Sequence, residues 1–147
     1  MAVGHRDRGS EARTLRLYID ASGLVKLIVE EPESPKMESL WNDAEDVVCM
    51  SLGYLEGRVA IARRLPRRAR GSARRLLDER WQDIETVEPD DPLLALAVGV
   101  ADAYRLRPLD ALHLAAAVQT GGNLTFATWD GELAEAARAA GFETAPP

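Results

Sequence analysis

Segments of strand character alternate with segments of helix character along most of this chain, and this order constrains the fold more than any other feature. The strand segments are short apolar runs: LRLYI, DVVCMS, DIETVE, LTFAT and a possible edge strand, FETA. Longer stretches with helical periodicity separate them. Such an order implies right-handed crossovers and a parallel sheet covered on both faces. We therefore predict a three-layer α/β/α sandwich with a central, mostly parallel sheet of four to five strands.

The 147 residues suit one compact domain. Residues 1–14 lack periodicity and are expected to be a flexible N-terminal extension, which leaves residues 15–147 as the single domain. The lone cysteine, Cys49, excludes an intrachain disulfide and a thiolate metal cluster. No apolar run approaches the roughly 18 residues of a membrane span, and the polar start does not resemble a signal peptide. A cytoplasmic protein that does not enter the membrane is expected.

Acidic residues recur where the predicted strands end. Asp20 closes the first strand, Glu56 lies early in the helix after the second, and Asp130 follows the fourth in FATWD. Active sites of open parallel sheets lie outside the carboxyl ends of the strands, so these three should share one edge. Asp110 stands in the first turn of RPLDALHLAAAV, a helix so apolar that its carboxylate needs a partner.

Each acid has an ordinary structural explanation when taken alone. Asp20 and Asp130 suit helix N-caps, although Ser22 could cap the first helix instead. Asp110 could pair with Arg107 or Arg105 in the first turn of its helix.

Glu56 alone would be typical of a solvated helix surface. Together, however, four acids at one edge repel one another and raise their own pKa values unless a cation is present. Oxygen ligands favour Mg²⁺, with Mn²⁺ as a possible substitute, over zinc. A metal site of this kind can hydrolyse phosphodiesters by activating water and neutralising phosphate charge.

Four separated motifs resemble those of the PIN-domain ribonucleases, most closely the VapC-type toxins of bacterial toxin–antitoxin pairs. These motifs are DASGLVKL, SLGYLEGRVA, RPLDALHLAAA and TWDGELAEAARAAG, and the likeness extends from about residue 15 to 145. One departure is Gly57, where related chains commonly have a bulky apolar residue.

The resemblance implies a Mg²⁺-dependent endoribonuclease that acts as a toxin, is silenced by a cognate antitoxin and forms a homodimer. It places Asp20, Glu56, Asp110 and Asp130 around the metal as catalytic and metal-binding residues. Ser22 and Thr128 would organise the acidic pocket by hydrogen bonding.

Two further features are open to more than one interpretation. Nine of the sixteen arginines lie between Arg58 and Arg80, although the net charge is −6. This segment could contact RNA phosphates, dock an acidic partner or form a solvated helix pair. His113 favours a buried, hydrogen-bonded position over metal ligation.

The alternative function is a non-catalytic RNA- or protein-binding module that retains the PIN fold. A phosphoacceptor receiver domain fits less well, because RLYIDAS supplies one acid where paired acids are expected. No phosphate-binding glycine loop is present, so no nucleotide cofactor is expected.

Overall fold

The computed structural model describes residues 14–147. Except for Thr14, the predicted N-terminal extension lies outside the described residues. Five strands form one sheet: β1 (Arg16–Ile19), β2 (Asp46–Met50), β3 (Glu85–Val87), β4 (Leu124–Ala127) and β5 (Glu143–Ala145). Seven helices connect them in this part of the chain: α1 (Ala21–Lys26), α2 (Ser34–Asp43), α3 (Leu52–Arg64), α4 (Arg67–Gln82), α5 (Asp91–Tyr104), α6 (Pro108–Thr120) and α7 (Gly131–Ala139).

The strands are all parallel and lie in the order β3-β2-β1-β4-β5. The chain builds the sheet outwards from β1 to β2 and β3, and then crosses to the other side of β1 for β4 and β5. The crossing makes the carboxyl ends of β1 and β4 the topological switch point, where ligands bind in folds of this type.

Side chains of β1 alternate between the two faces of the sheet. Leu17 and Ile19 pack in one apolar core with residues of α1 to α4, whereas Tyr18 packs in the other with residues of α5, α6 and α7. Each core therefore fills the space between the sheet and one helical layer. The predicted α/β/α sandwich is confirmed, with a sheet of five strands.

Helix α1 is shorter than its sequence predicts. The pattern SGLVKLIVE predicts a helix with either Asp20 or Ser22 as its cap, but α1 ends at Lys26, and its N-cap is Asp20, whose Oδ1 accepts the Gly23 N–H at 3.0 Å. The apolar Leu27 and Val29 are buried beyond the end of the helix. The apolar pattern therefore predicts the burial of Leu27 and Val29 correctly, but its prediction of the helix length is wrong.

Gly57 allows α3 to pack closely against its neighbours. A Cβ added there would lie 3.3 Å from one methyl group of Leu77 on α4 and 3.5 Å from Leu24 on α1. Because this spacing is already tight, a bulky side chain at position 57 would not fit without movement of α4.

Candidate metal centre

Asp20 is the most buried of the predicted site residues. It follows β1 directly and is 4% exposed. Burial raises the pKa of Asp20; the His113 imidazole and hydrogen bonds from Thr128, Ser22 and Gly23 oppose the rise without cancelling it. The ionised carboxylate is therefore held in an environment that disfavours its charge.

Hydroxyl groups of Ser22 and Thr128 fix the orientation of Asp20. Ser22 Oγ donates to Oδ1 at 2.7 Å, and Thr128 Oγ1 donates to Oδ2 at 2.6 Å. Each hydroxyl also accepts a backbone N–H, from Trp129 at 2.9 Å and from Asp130 at 3.0 Å respectively. The network joins the end of β1 to the end of β4 and leaves the carboxylate little freedom to rotate.

Asp130 and Asp110 lie beside each other at the same edge. Asp130 caps α7 by accepting the Leu133 N–H at 3.1 Å, and Asp110 stands in the first turn of α6. Partial burial raises the pKa of Asp110, and the Asp130 carboxylate raises it further. Asp20 contributes in the same direction, so three of the four predicted acids interact electrostatically.

Arg107 is the cation nearest to this pair of acids within residues 14–147. Its Nε lies 3.9 Å from Asp110 Oδ2, and its Nη2 lies 4.0 Å from Asp130 Oδ2. The side chain is 78% exposed, and both distances are long for direct hydrogen bonds. Arg107 therefore opposes the rise in the pKa of Asp110 without cancelling it. A second positive charge beside the two carboxylates would still be favourable.

Glu56 joins this edge of the sheet through His113. The Nε2 atom of His113 lies 2.8 Å from Glu56 Oε1, and its Nδ1 atom lies 2.7 Å from the Tyr18 hydroxyl. His113 is 1% exposed, so it is a buried, hydrogen-bonded residue, as the sequence favoured. His113 also stands three residues after Asp110, about one turn further along α6.

The donor set suits a hard divalent cation. All four acids supply oxygen, the ligand atom that Mg²⁺ prefers, and burial raises the pKa of both Asp20 and Asp110. In the part of the chain that the structure describes, no three acidic, histidine or cysteine side chains are grouped closely enough to hold a metal ion by themselves. Mg²⁺ keeps several waters and commonly takes only one or two protein carboxylates, so the residues present are compatible with it.

A family model for the PIN domain matches residues 17–139 of this chain, which span the sheet core and all four acids. The chain belongs to the PIN-domain family. The resemblance predicted from the four motifs is therefore confirmed. No helix of this PIN domain within the described region is long and apolar enough to cross a membrane.

Curated relatives match this PIN domain over nearly its whole length. Ribonuclease VapC47 of Mycobacterium tuberculosis (strain CDC 1551 / Oshkosh) is 36% identical over 137 residues, covering 89% of this chain and 96% of the relative. Ribonuclease VapC49 of Mycobacterium tuberculosis (strain ATCC 25618 / H37Rv) is 34% identical over 136 residues, covering 88% and 94%.

Solved structures share the fold at lower sequence identity. Mycobacterium tuberculosis VapC20, described as a sarcin–ricin loop cleaving toxin, aligns with a TM-score of 0.67 and 19% identity over 86% of this chain and 95% of that one. FitAcB from Neisseria gonorrhoeae gives a TM-score of 0.66 and 18% identity, covering 87% and 95%. These likenesses support the α/β/α architecture.

Tyr18 was missed by the reasoning from sequence. It reads as an ordinary strand residue, and its partner His113 stands 95 positions later. The only available signal was alternation along β1, which turns Tyr18 towards the helical layer that contains α6. Arg107 was considered as a partner for Asp110, but its proximity to Asp130 was not anticipated.

Proposed function

We propose that this PIN domain is a Mg²⁺-dependent endoribonuclease that acts as the toxin of a toxin–antitoxin pair. The observation that carries the proposal is the electrostatic grouping of Asp20, Asp110 and Asp130 at the switch point of the sheet. The printed names of the curated relatives, which are ribonucleases, support the same reaction. They favour it over a non-catalytic binding module.

Asp20, Glu56, Asp110 and Asp130 would hold the cation, with Mn²⁺ as a possible substitute for Mg²⁺. The bound ion would lower the pKa of a coordinated water and neutralise charge that develops on the phosphate. Ser22 and Thr128 keep the Asp20 oxygens turned in a fixed direction through short hydrogen bonds.

Arg107 supplies a positive charge beside the acidic residues of the site. Its exposed guanidinium lies about 4 Å from Asp110 and Asp130 without a close bond to either. A guanidinium pairs well with phosphate oxygens. We assign Arg107 the role of orienting the scissile phosphate beside the acids.

Exposed arginines on α3 and α4 support a long polyanionic substrate. These residues are Arg58, Arg63, Arg64, Arg67, Arg68, Arg74 and Arg75. Arg63 follows Glu56 by seven residues, or two helical turns, so both lie on one side of α3 about 10 Å apart along its axis. Phosphates leaving the acidic site along α3 would meet this positive surface.

Partners follow from the same family assignment. Solved structures similar in fold include a member of the VapBC family of toxin-antitoxin systems from Mycobacterium tuberculosis, so we propose a cognate antitoxin here. A homodimer is proposed from the family resemblance, and sedimentation of the purified protein tests it. A cytoplasmic location stays a prediction.

Cleavage of single-stranded RNA by purified protein tests the activity. The reaction is run in EDTA and after addition of Mg²⁺ or Mn²⁺, with DNA of the same sequence as a substrate control. We expect cleavage of RNA only when a divalent ion is added. Cleavage that persists in EDTA, or no cleavage with either ion over a range of RNA sequences, would contradict the proposal.

A further inference from the structure

A continuous chain of hydrogen bonds runs from β1 to the acidic edge of the sheet. Tyr18 Oη lies 2.7 Å from His113 Nδ1, and His113 Nε2 lies 2.8 Å from Glu56 Oε1. Tyr18 is fully buried, His113 is 1% exposed, and the Glu56 side chain is 23% exposed. The chain thus begins in the core and ends at a carboxylate that solvent can reach.

The positions of the protons follow from the partners of Tyr18. The Met50 N–H donates to Tyr18 Oη at 3.0 Å. A tyrosine hydroxyl is protonated at neutral pH, so it also has a proton to donate. Within residues 14–147, His113 Nδ1 is the acceptor available to that proton. Nδ1 therefore accepts, which places the ring proton on Nε2, where it donates to Glu56.

We propose that Tyr18 and His113 are positioning residues that hold the Glu56 carboxylate at the acidic site. The hydroxyl of Tyr18 selects the His113 tautomer with the proton on Nε2, and that N–H fixes Glu56 Oε1. The second carboxylate oxygen then stays free to face a divalent cation bound by the aspartates. This inference rests on the proposed function, because it gives Glu56 a role at the same metal site.

The contacts of Glu56 explain why such a tether matters. Glu56 lies on α3, which packs with the helices on one face of the sheet, whereas His113 lies on α6 on the other face. Their hydrogen bond crosses between the two layers at the edge of the sheet. A glutamate without this bond would sample several rotamers, and binding a cation would have to restrict them. Partners that orient a metal ligand commonly change metal affinity about 10–100-fold when removed.

Nitrogen NMR of the histidine ring tests the tautomer directly. The chain contains two histidines, so a His113→Gln variant assigns the His113 signals by their disappearance. We expect a protonated Nε2 and an unprotonated Nδ1 in the wild-type protein at neutral pH. A protonated Nδ1 would overturn the proposed direction of the chain.

Calorimetric titration with Mn²⁺ tests the positioning role without measuring cleavage. His113→Leu removes the donor to Glu56, and we expect Mn²⁺ to bind at least ~10-fold more weakly. His113→Gln keeps an N–H donor near the Nε2 position, and its affinity should stay within about 3-fold of the wild type. The same His113→Leu change in a Glu56→Gln background should alter the affinity less than about 2-fold, because the ligand it positions is already gone.

The outcomes separate this inference from the proposed function. Equal Mn²⁺ affinity in the wild type and His113→Leu, or an equal loss in the Glu56→Gln background, would overturn the positioning role and leave a purely structural network. If His113→Leu does not fold, Tyr18→Phe replaces it, and weaker Mn²⁺ binding is then expected. Mn²⁺ binding that follows the expected pattern without any cleavage of RNA would refute the activity but not the positioning.

Discussion

Replacing Asp20 by asparagine should stabilise the metal-free protein while it abolishes the benefit of a divalent ion. Asparagine matches the shape of aspartate and is an equally good N-cap, so the bond to the Gly23 N–H can persist. What the substitution removes is a buried negative charge that interacts with Asp110, together with the acceptor of the Thr128 hydroxyl. The change therefore tests whether this site is built for a cation rather than for stability.

The direction of the effect follows from the raised pKa of Asp20, whose first cause is burial. Burial disfavours an ionised carboxylate more than a neutral amide of the same shape. We therefore expect Asp20→Asn to raise the free energy of unfolding and the Tm at pH 7 in EDTA.

The dependence on pH has a definite sign. A carboxyl with a raised folded-state pKa contributes stability that is fully present below its unfolded pKa of about 4 and is lost as the pH rises through its folded-state pKa. The stabilisation by Asp20→Asn should therefore be small at pH 4 and grow towards pH 7. Asp110 should add to the same trend in the wild type, because its pKa is raised by partial burial and by Asp130.

Urea unfolding in EDTA measures these differences, and two other variants serve as controls. Asp20→Ala loses the acceptor of the Gly23 N–H and of the Ser22 hydroxyl, which the oxygen of Asp20→Asn keeps, so it should be at least about 1 kcal/mol less stable than Asp20→Asn. Asp90→Asn changes an exposed cap of α5, bonded to the Leu93 N–H at 3.0 Å, and should stay within about 0.5 kcal/mol of the wild type.

Addition of Mn²⁺ should reverse the order of the wild type and Asp20→Asn. A ligand that binds the folded state at 100 times its Kd stabilises it by about 2.7 kcal/mol, and Asp20→Asn lacks one of the carboxylates proposed to bind the ion. The reasoning is refuted if Asp20→Asn is less stable than the wild type in EDTA, because the carboxylate would then be a net-favourable structural cap.

Two further predictions concern the arginine surface and the packing of α3. Replacing both Arg63 and Arg74 by glutamine should reduce the salt dependence of binding to single-stranded RNA: the slope of log affinity against log salt concentration, measured in EDTA, should fall in magnitude by about 1.4. The control variant Arg138→Gln on α7 should leave this slope unchanged. An unaltered slope in the double variant would favour a protein partner for this surface. Gly53→Ala should cost ~1–3 kcal/mol in thermal unfolding, because its Cβ would lie 2.5 Å from Cys49 Sγ, and adding Cys49→Ala should restore most of that loss. If the losses of stability caused by Gly53→Ala and by Cys49→Ala simply add in the double variant, this packing explanation is wrong.

The order of strands and helices could be read from the sequence because short β-type runs and long apolar periods differ in length and spacing. Parallel topology predicts the edge where Asp20 and Asp130 meet, since Asp20 follows β1 directly and Asp130 follows the neighbouring strand β4 by three residues. The end of α1 could not be read in this way. Leu27 and Val29 continue the apolar pattern, but they are buried outside the helix.

Competition between two good caps could not be resolved from the sequence either. Asp20 and Ser22 both suit an N-cap, and only the three-dimensional structure shows that Ser22 donates to Asp20 while Asp20 caps the helix. The bond between Tyr18 and His113 depends on packing between distant segments. Local propensity carries no information about such a contact.

The most direct test of the central claim compares RNA cleavage by two aspartate variants under single-turnover conditions with Mg²⁺. Asp110 lies at the acidic site beside Asp130, whereas Asp102 is exposed on α5. If the acids at the switch point carry the reaction, Asp110→Asn should lose at least ~100-fold in rate and Asp102→Asn should keep the wild-type rate. Undiminished cleavage by a folded Asp110→Asn variant would contradict the account.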